Sequence, residues 1–369
     1  MKRSVFILVF TIFAAFAAPA QVKVGMTDTA SYYPLLRGRR VAVLANQTSG
    51  RVHLVDLLHG EGFAVAAIFS PEHGFRGTAD AGEQVASSVD ARTGIPIRSL
   101  YDGNAKQPSD EAMRSFDVLV VDMQDVGLRF YTYYISMLRM MDACADFGRR
   151  VVVLDRPNPN GHLVDGPVLD MKYKSGVGAI PVPVLHGLTM GEIARMAVGE
   201  GWAKQCALTV VKCRNYTHAT EYLLPVAPSP NLPTQRAVYL YAALCPFEGT
   251  VVSLGRGTDC PFEIYGHPDM TGRAFSFTPR PTAGAKHARH AALRGPRSGI
   301  LAALRDRRLP RSGAGGQVLH PDVRKAGRCG MGAWDDRGRG FGGGDPRPLG
   351  SRCGTLPRKA GAVLALRIE

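Results

Sequence analysis

The sequence lacks the short motifs that mark several large classes of enzyme. It has no GxSxG nucleophile elbow, no HExxH metal site and no phosphate loop ending in GK[ST], and no GxGxxG follows its first predicted strand. Its seven cysteines form no CxxC pair and no spacing with histidine that is typical of a metal site. These absences argue against a nucleophile-elbow hydrolase, a zinc peptidase and a dinucleotide-binding enzyme.

The apolar run at the amino terminus, Val5 to Ala17, has thirteen residues and is too short to span a bilayer comfortably. Lys2 and Arg3 precede it, and Ala18-Pro19-Ala20 follows it as a small-residue cleavage site. No cysteine lies near that site, which argues against a lipoprotein. We therefore expect a signal peptide over residues 1–20, export to the periplasm or the medium, and no membrane span after cleavage. An uncleaved anchor is the alternative.

The net charge of +14 is concentrated in one part of the chain. Residues 287–369 hold 17 Lys and Arg against 6 Asp and Glu, and so supply +11 of it. Aromatic residues are reduced there to Trp334 and Phe341, and helix and strand patterns fade. We interpret this segment as the product of a shifted reading frame in GC-rich DNA; a disordered basic tail is the alternative. The rest of the chain has little excess charge, so no nucleic-acid partner is expected.

Apolar runs alternate with helical patterns through the first half of the chain. The predicted strands are Arg40–Ala45, Ala64–Phe69, an edge strand at Ile95–Leu100, Val118–Val121 and Arg150–Leu154. Helical patterns lie between them, and the alternation predicts a parallel sheet with helices on both faces. After a domain boundary placed between residues 165 and 178, Thr189 and Glu192 form a capping box for a helix over Met190–Gly199. Ala207–Lys212 is then a further strand.

Polar side chains follow the predicted strands at the point where each strand ends. In the stretch Val118–Tyr134 the buried strand stops at Asp122, and Gln124, Asp125 and Arg129 come before the next helix. The carboxyl ends of parallel strands meet at one edge of the sheet, where open α/β folds bind ligands. The same edge would receive Glu72, His73, Arg76, Arg156, Asn158 and Asn160. Amides and carboxylates hold sugar hydroxyls, and two carboxyl groups can cleave a glycosidic bond.

Each of these residues also has a purely structural explanation. The alternatives are a turn cap for Glu72, an ion pair of Asp122 or Asp125 with Arg129, turn formation by Asn158 and Asn160, and a core position for His186. A carbohydrate or anion binder without catalysis would use the same residue types. The residues alone leave these possibilities open.

Six segments together resemble the exo-β-N-acetylmuramidase family, once catalogued only as a domain of unknown function. They are SPEHGFRG (70–77), VDMQDVGLRFYTY (121–133), DRPNPNG (155–161), LHGLTMGE (185–192), PSPNLPT (228–234) and FEGTVVSLGRGTDCPFEIYGHP (247–268). The resemblance implies an α/β fold with a Rossmann-like domain, residues 21–165, and a smaller α/β domain, residues 166–286, with the active site in the cleft between them. It ends near residue 286, so the second domain is expected to be incomplete.

Members of this family are exported and remove N-acetylmuramic acid from the non-reducing end of peptidoglycan fragments. The resemblance therefore implies a glycosidase of cell-wall turnover that acts on muramyl saccharides, and we expect no cofactor and no metal. It makes Glu72 the best candidate for the catalytic acid, with Asp125 and Glu248 as further catalytic candidates. The implied substrate-binding residues are His73, Arg76, Asp122, Gln124, Arg129, Arg156, Asn158, Asn160, His186, Asn231, Arg256 and Thr258.

The lactyl carboxylate that distinguishes muramic acid calls for an arginine, because a guanidinium binds a carboxylate in two-pronged fashion. Arg76, Arg129 and Arg256 are the candidates for this contact. Two other identities remain open: a non-catalytic exported carbohydrate-binding protein, and an inactive, truncated member of the family.

Overall fold

The parallel sheet predicted from the alternating pattern is present and lies at the centre of the structure. The structure is a computed structural model, and it describes residues 21–50, 52–71, 74–75, 87–100, 108–267, 269–270, 275–279 and 293–295. Its strands are β1 (Arg40–Ala45), β2 (Ala64–Ser70), β3 (Ser88–Val89), β4 (Pro96–Ser99), β5 (Val118–Asp122), β6 (Arg150–Leu154), β7 (Ala207–Val211), β8 (Phe275–Phe277) and β9 (Leu293–Gly295). Its α-helices are α1 (Thr29–Leu36), α2 (Leu54–Gly60), α3 (Asp110–Arg114), α4 (Tyr133–Asp146), α5 (Met190–Gly199) and α6 (Gln235–Leu244).

Seven strands form the main sheet in the order β3-β4-β2-β1-β5-β6-β7. Every neighbouring pair is parallel except β3 with β4. The predicted α/β class with a parallel sheet is thus confirmed. β8 and β9 form a separate antiparallel pair, and β9 is a short strand within the basic segment where the sequence predicted no regular pattern.

Two strands are placed differently from the sequence-based expectation. The strand expected at the edge, β4, lies between β2 and β3, because the two-residue strand β3 pairs with its outer side. A strand of two residues is too short to give a periodic signal. β7, which was assigned to the second domain, pairs with β6 and so extends the first sheet. The long polar connection between β6 and α5 hid this continuity.

The sheet is buried on both faces, as the apolar strands require. Along β5, Leu119 and Val121 belong to one core cluster, whereas Val118 and Val120 belong to the other. Helices α3 to α6 pack in the first cluster, and α1 and α2 pack in the second. Each fully buried Val or Leu contributes about 1.5–3 kcal/mol to folding. This two-sided core fixes the strand ends from which the polar loops emerge.

The capping box predicted for α5 is present. Thr189 Oγ1 accepts a hydrogen bond from Glu192 N at 3.2 Å, and Glu192 Oε2 accepts one from Thr189 N at 2.9 Å. Thr189 Oγ1 also donates to Asp155 Oδ2 at 2.7 Å, which fixes the start of α5 beside the carboxyl end of β6. Among the helices that the structure describes, none is long and apolar enough to cross a membrane.

Candidate active site

The polar loops meet at the point where the order of the strands reverses. From β1 the chain moves outward through β2 to β4, and it then returns to place β5 on the other side of β1. The loops after β1 and β5 therefore diverge, and open α/β sheets bind ligands in the crevice that forms at such a point. Thr48 Oγ1, in the loop after β1, accepts a hydrogen bond from Gln124 N, in the loop after β5, at 2.9 Å.

Asp122 forms a buried ion pair with Arg156. Arg156 Nε and Nη2 donate to the two carboxylate oxygens at 2.6 and 3.0 Å, and the Ser49 hydroxyl donates to one of them as well. The sequence had suggested Arg129 as the structural partner of Asp122. Both guanidinium contacts and both carboxylate oxygens are occupied within the protein, so the pair joins the ends of β5 and β6.

Asp125 is the buried carboxyl group of this edge whose contacts are incomplete. Its side chain is 2% exposed; Oδ1 accepts from Gly127 N at 2.7 Å, and Oδ2 has no hydrogen-bond partner among the described residues. Burial raises the pKa of the Asp125 carboxyl to about 7, although backbone hydrogen bonds from Gly127 and Val126 oppose the shift. This carboxyl group can therefore hold or release a proton near neutral pH.

His186 lies beside Asp125, as expected if both belong to one site. Its Nε2 is 3.8 Å from Asp125 Oδ1, and both side chains are buried. His186 Nδ1 accepts a hydrogen bond from Leu188 N at 3.1 Å, so the proton of the neutral ring lies on Nε2, which faces the carboxyl group. The pair thus offers a donor and a titratable acceptor within a small volume.

Gln124 and Arg129 each use part of their polar groups within the protein. Gln124 Nε2 donates to the carbonyl oxygens of Asp125 and Pro157 at 2.8 and 2.6 Å, which leaves Oε1 without a partner in the described part of the chain. Arg129 Nη1 donates to Pro167 O and Val182 O at 2.8 and 2.6 Å, and Nε is likewise unpartnered. Burial lowers the pKa of the Arg129 guanidinium.

The two asparagines of the loop after β6 have structural contacts, as the turn-forming alternative predicted. Asn158 Nδ2 donates to Leu188 O at 3.0 Å, and Oδ1 accepts from Asn160 N at 2.8 Å. Asn160 Nδ2 donates to Val126 O at 2.8 Å, which ties this loop to the loop after β5. Gly127 is the point of closest approach: its φ is +81°, and a Cβ there would lie 2.5 Å from the amide atoms of Asn158.

The segment 228–234 is held over the same edge through one carbonyl group. Pro228 O accepts from Tyr131 Oη at 2.6 Å, Gln47 Nε2 at 3.1 Å and Tyr133 Oη at 3.2 Å. The half-buried Asn231 lies three residues further on, and its backbone N–H donates to Ser229 Oγ at 3.1 Å.

A chain of aromatic rings connects this edge to Arg256 and Glu248. The ring of Tyr131 lies 6.5 Å from that of Tyr241, which lies 5.0 Å from that of Phe262, and the Arg256 guanidinium is 5.1 Å from the Phe262 ring. Arg256 Nε donates to Glu248 Oε1 at 3.0 Å, and Nη2 contacts the same oxygen. The structure thus pairs these two candidates with each other.

Thr258 has a local contact, since its Oγ1 donates to Gly255 O at 2.6 Å. Glu72, His73 and Arg76 lie outside the described residues. Their described neighbours are at the carboxyl end of β2: Gly74 N donates to Pro71 O at 3.2 Å, and the ring of Phe75 lies 4.4 Å from that of His53.

Sequence reasoning missed the loop after β1, which contributes Asn46, Gln47, Thr48 and Ser49. Thr48 contacts the loop after β5, Ser49 contacts Asp122 at the end of β5, and Gln47 contacts the segment 228–234, so the loop borders the candidate site. Its signal was available, because a polar run directly follows a buried strand, as in the loops that were selected.

Comparisons with known proteins agree with this architecture. Residues 41–236 match the family model for the N-terminal part of the exo-beta-N-acetylmuramidase NamZ, and residues 239–289 match the model for its C-terminal part. The family models thus divide the chain later than the boundary predicted between residues 165 and 178, and β7 lies within the N-terminal part.

Individual relatives give the same assignment. The chain is 39% identical over 305 residues to the peptidoglycan beta-N-acetylmuramidase NamZ of Bacillus subtilis (strain 168), with 73% of each chain covered. It is similar to the crystal structures of two DUF1343 family proteins from Bacteroides fragilis NCTC 9343. One is 53% identical, with a TM-score of 0.68 over 75% of this chain and 76% of that one. The other is 28% identical, with a TM-score of 0.65 over 74% and 76%. The chain belongs to the NamZ family of exo-β-N-acetylmuramidases.

Proposed function

We propose that this member of a glycosidase family is an exo-acting hydrolase that releases N-acetylmuramic acid from the non-reducing end of peptidoglycan fragments. Family membership supports the reaction class, and the Bacillus subtilis relative is named for its action on peptidoglycan. The structural observation that carries the proposal is Asp125, a buried carboxyl group with one unpartnered oxygen and a pKa of about 7. It lies at the edge of the sheet where ligands bind in such folds.

In the proposed mechanism, two carboxyl groups cleave the glycosidic bond. Glu72, which the family resemblance singles out, donates a proton to the leaving oxygen, and Asp125 acts on the opposite side as base or nucleophile. A pKa near the working pH favours acid–base catalysis, because both protonation states are then accessible. Glu248 is a weaker candidate for this role, since Arg256 and the Cys245 thiol already contact its carboxylate.

The lactyl carboxylate of muramic acid is proposed to bind at an arginine. Arg129 is buried in the same loop as Asp125, and its Nε has no hydrogen-bond partner among the described residues, whereas Arg256 is already paired with Glu248. These contacts favour Arg129 over Arg256, and Arg76 remains a candidate from the resemblance. A guanidinium in this position would discriminate muramides from glucosaminides by charge.

Two disaccharides test the exo-acting function: one with N-acetylmuramic acid at the non-reducing end and one with N-acetylglucosamine there. We expect release of free N-acetylmuramic acid from the first and no cleavage of the second. Cleavage of neither, with binding of the first, would instead identify a carbohydrate-binding protein. Cleavage inside longer glycan strands would contradict exo action.

The variant Glu72→Gln tests the proposed catalytic acid, because it keeps the side-chain shape and removes the proton. We expect substrate binding to persist while turnover falls by about 10²–10⁴. The loss should shrink for aryl muramides whose leaving group departs as a stable anion. A loss that is independent of the leaving group and accompanied by a lower melting temperature would assign Glu72 to the turn instead.

We further propose that the protein is exported and that residues 1–20 are removed. The basic start, the short apolar run and the small residues before Gln21 support this. Amino-terminal sequencing of the periplasmic or secreted protein should begin near Gln21. An intact Met1 in that fraction would contradict cleavage.

A further inference from the structure

Two neighbouring side chains in the loop after β1 keep buried polar atoms that have no hydrogen-bond partner among the described residues. These atoms are Asn46 Nδ2 and Gln47 Oε1. The other half of each amide fixes its orientation: Asn46 Oδ1 accepts from Thr48 N and Thr48 Oγ1 at 3.1 and 2.6 Å, and Gln47 Nε2 donates to Pro228 O at 3.1 Å. The loop therefore presents one donor, on Asn46, and one acceptor, on Gln47.

This loop adjoins the loop after β5, which has the same property. Gln124 Oε1, Asp125 Oδ2 and Arg129 Nε are also buried without a partner in the described part of the chain. Buried polar atoms nearly always have partners in native proteins, and each exception needs an explanation. Five such atoms in two loops that meet at the strand-order reversal indicate a ligand whose groups complete them.

The chemistry of the two atoms points to one functional group of the sugar. A secondary amide has an N–H group, which needs an acceptor, and a carbonyl oxygen, which needs a donor. Gln47 Oε1 and Asn46 Nδ2 supply this complement on consecutive residues. A hydroxyl group donates and accepts through one oxygen atom, whereas the N–H and C=O groups of a secondary amide point to opposite edges and take a separate side chain each, as Gln47 and Asn46 would supply.

We propose that Asn46 and Gln47 form the subsite for the acetamido group of the sugar, with Gln47 Oε1 accepting from the amide N–H and Asn46 Nδ2 donating to the amide carbonyl. The inference rests on the proposed function, because it places part of the muramide against this edge. It assigns substrate contacts to two residues that neither the sequence motifs nor the family resemblance selected. Gln47 would link substrate to segment 228–234, because its Nε2 holds Pro228.

The test compares two substrates, an aryl N-acetylmuramide and its analogue with a hydroxyl group in place of the acetamido group, on the full chain. Asn46→Asp keeps an oxygen for Thr48 and removes the donor, and Gln47→Met keeps the side-chain length and removes the acceptor. In each variant we expect the ratio of kcat/KM values, acetamido over hydroxyl, to fall by about tenfold, as for one lost hydrogen bond. The rate on the hydroxyl analogue should change much less.

Tyr133→Phe is the matched control, because it removes one donor from Pro228 O and leaves Asn46 and Gln47 in place. If Gln47 acts only by holding the segment 228–234, Tyr133→Phe and Gln47→Met should each lower kcat/KM equally for the two substrates. That result would show that the proposed subsite is wrong. An unchanged ratio in a folded Asn46→Asp variant also overturns it, while hydrolysis by the wild type keeps the proposed function. A wild-type chain that hydrolyses neither substrate overturns the proposed function, and the subsite with it.

Discussion

The loops after β5 and β6 lie side by side and have similar compositions, yet their polar groups are used in opposite ways. In the loop after β6, Asp155 accepts from Thr189 Oγ1, Gly191 N and Arg156 N, and Arg156 is paired with Asp122. In the loop after β5, Asp125 keeps a polar atom without a partner among the residues described. Composition alone therefore does not separate a supporting loop from a binding loop.

The difference indicates that the loop after β6 has a structural role and that the loop after β5 is the better candidate for contacts with a ligand. The loop after β6 fixes the start of α5 and the end of β5, and its bonds are internal to the protein. In the loop after β5, Gln124, Asp125 and Arg129 each form some hydrogen bonds within the protein and each keep one buried polar atom without a partner among the described residues. Sites of this kind need rigid support for the groups that contact substrate.

The largest expected effect is that of Asp125→Asn on catalysis. The amide has the shape of the carboxyl group and cannot exchange a proton, so kcat/KM on an aryl muramide should fall by about 10²–10⁴. The fold should persist, since the hydrogen bond from Gly127 N to the side-chain oxygen can remain. Steady-state kinetics with circular dichroism measures both. Activity near that of the wild type would show that Asp125 is not a catalytic group, and that the loop after β5 has no catalytic role through it.

Asp122→Asn should act on stability instead. The change leaves the buried Arg156 guanidinium without its counter-charge, and breaking such a pair costs about 3–5 kcal/mol of unfolding free energy. Urea unfolding monitored by circular dichroism measures it. Because the pair supports the site without touching substrate in this scheme, KM should change little under folding conditions. A stable variant with a strongly raised KM would place Asp122 among the substrate contacts.

Replacing Arg129 should change the preference of the enzyme for muramides over glucosaminides. Arg129→Ala should cost about 1.5–3 kcal/mol in kcat/KM for an aryl N-acetylmuramide, the range for hydrogen bonds to charged groups. The cost should be much smaller for the N-acetylglucosaminide, which has no lactyl carboxylate. Arg256→Ala is the control, because Glu248 engages its guanidinium. Equal losses on the two sugars would make Arg129 structural.

The last expected effect is a pH dependence of stability. The folded-state pKa of Asp125, about 7, lies above its ordinary value of 3.8, so the native state binds more protons than the unfolded state between these values. Its contribution is fully present below pH 3.8 and is lost as the pH rises through 7, with a slope of at most about 1.4 kcal/mol per pH unit.

Asp155, with a pKa raised by burial to about 6, adds a similar slope over a narrower window. The unfolding free energy of the wild type should be higher at pH 4.5 than at pH 8. In Asp125→Asn this difference should be smaller, and the part that remains is due to Asp155. Guanidinium unfolding at the two pH values measures the difference. Identical slopes in the variant and the wild type would mean that Asp125 titrates normally.

The strands were predictable because burial on both faces leaves a local signal. The bounds of β1 and β6 coincide with their apolar runs, and the cap of α5 follows from Thr189 and Glu192 alone. Partners far apart in the chain leave no such signal. Nothing local showed that Asp122 would pair with Arg156 instead of Arg129, or that Pro228 would accept hydrogen bonds from Tyr131, Tyr133 and Gln47.

The candidate site was predictable only in its location. A polar run after a strand identified the loops after β5 and β6, and the same rule applied to Asn46–Ser49 would have added the loop after β1. Which atoms remain without partners depends on side-chain contacts that span up to 181 residues, as between Gln47 and Pro228. The strand β7 was misplaced for the same reason, since pairing with β6 is a contact across a long connection.

The close approach of Gly127 to Asn158 makes the loops after β5 and β6 depend on each other in sequence. Any larger residue there meets the amide of Asn158 and must also adopt a positive φ that side chains disfavour. The steric clash would be removed only if Asn158 were replaced by a residue with a smaller side chain. That replacement would remove the hydrogen bonds of the Asn158 side chain with Leu188 and Asn160. We therefore expect the sequences of the loops after β5 and β6 to change together. A chimera in which only one of the two loops is transferred to a related protein should fold poorly.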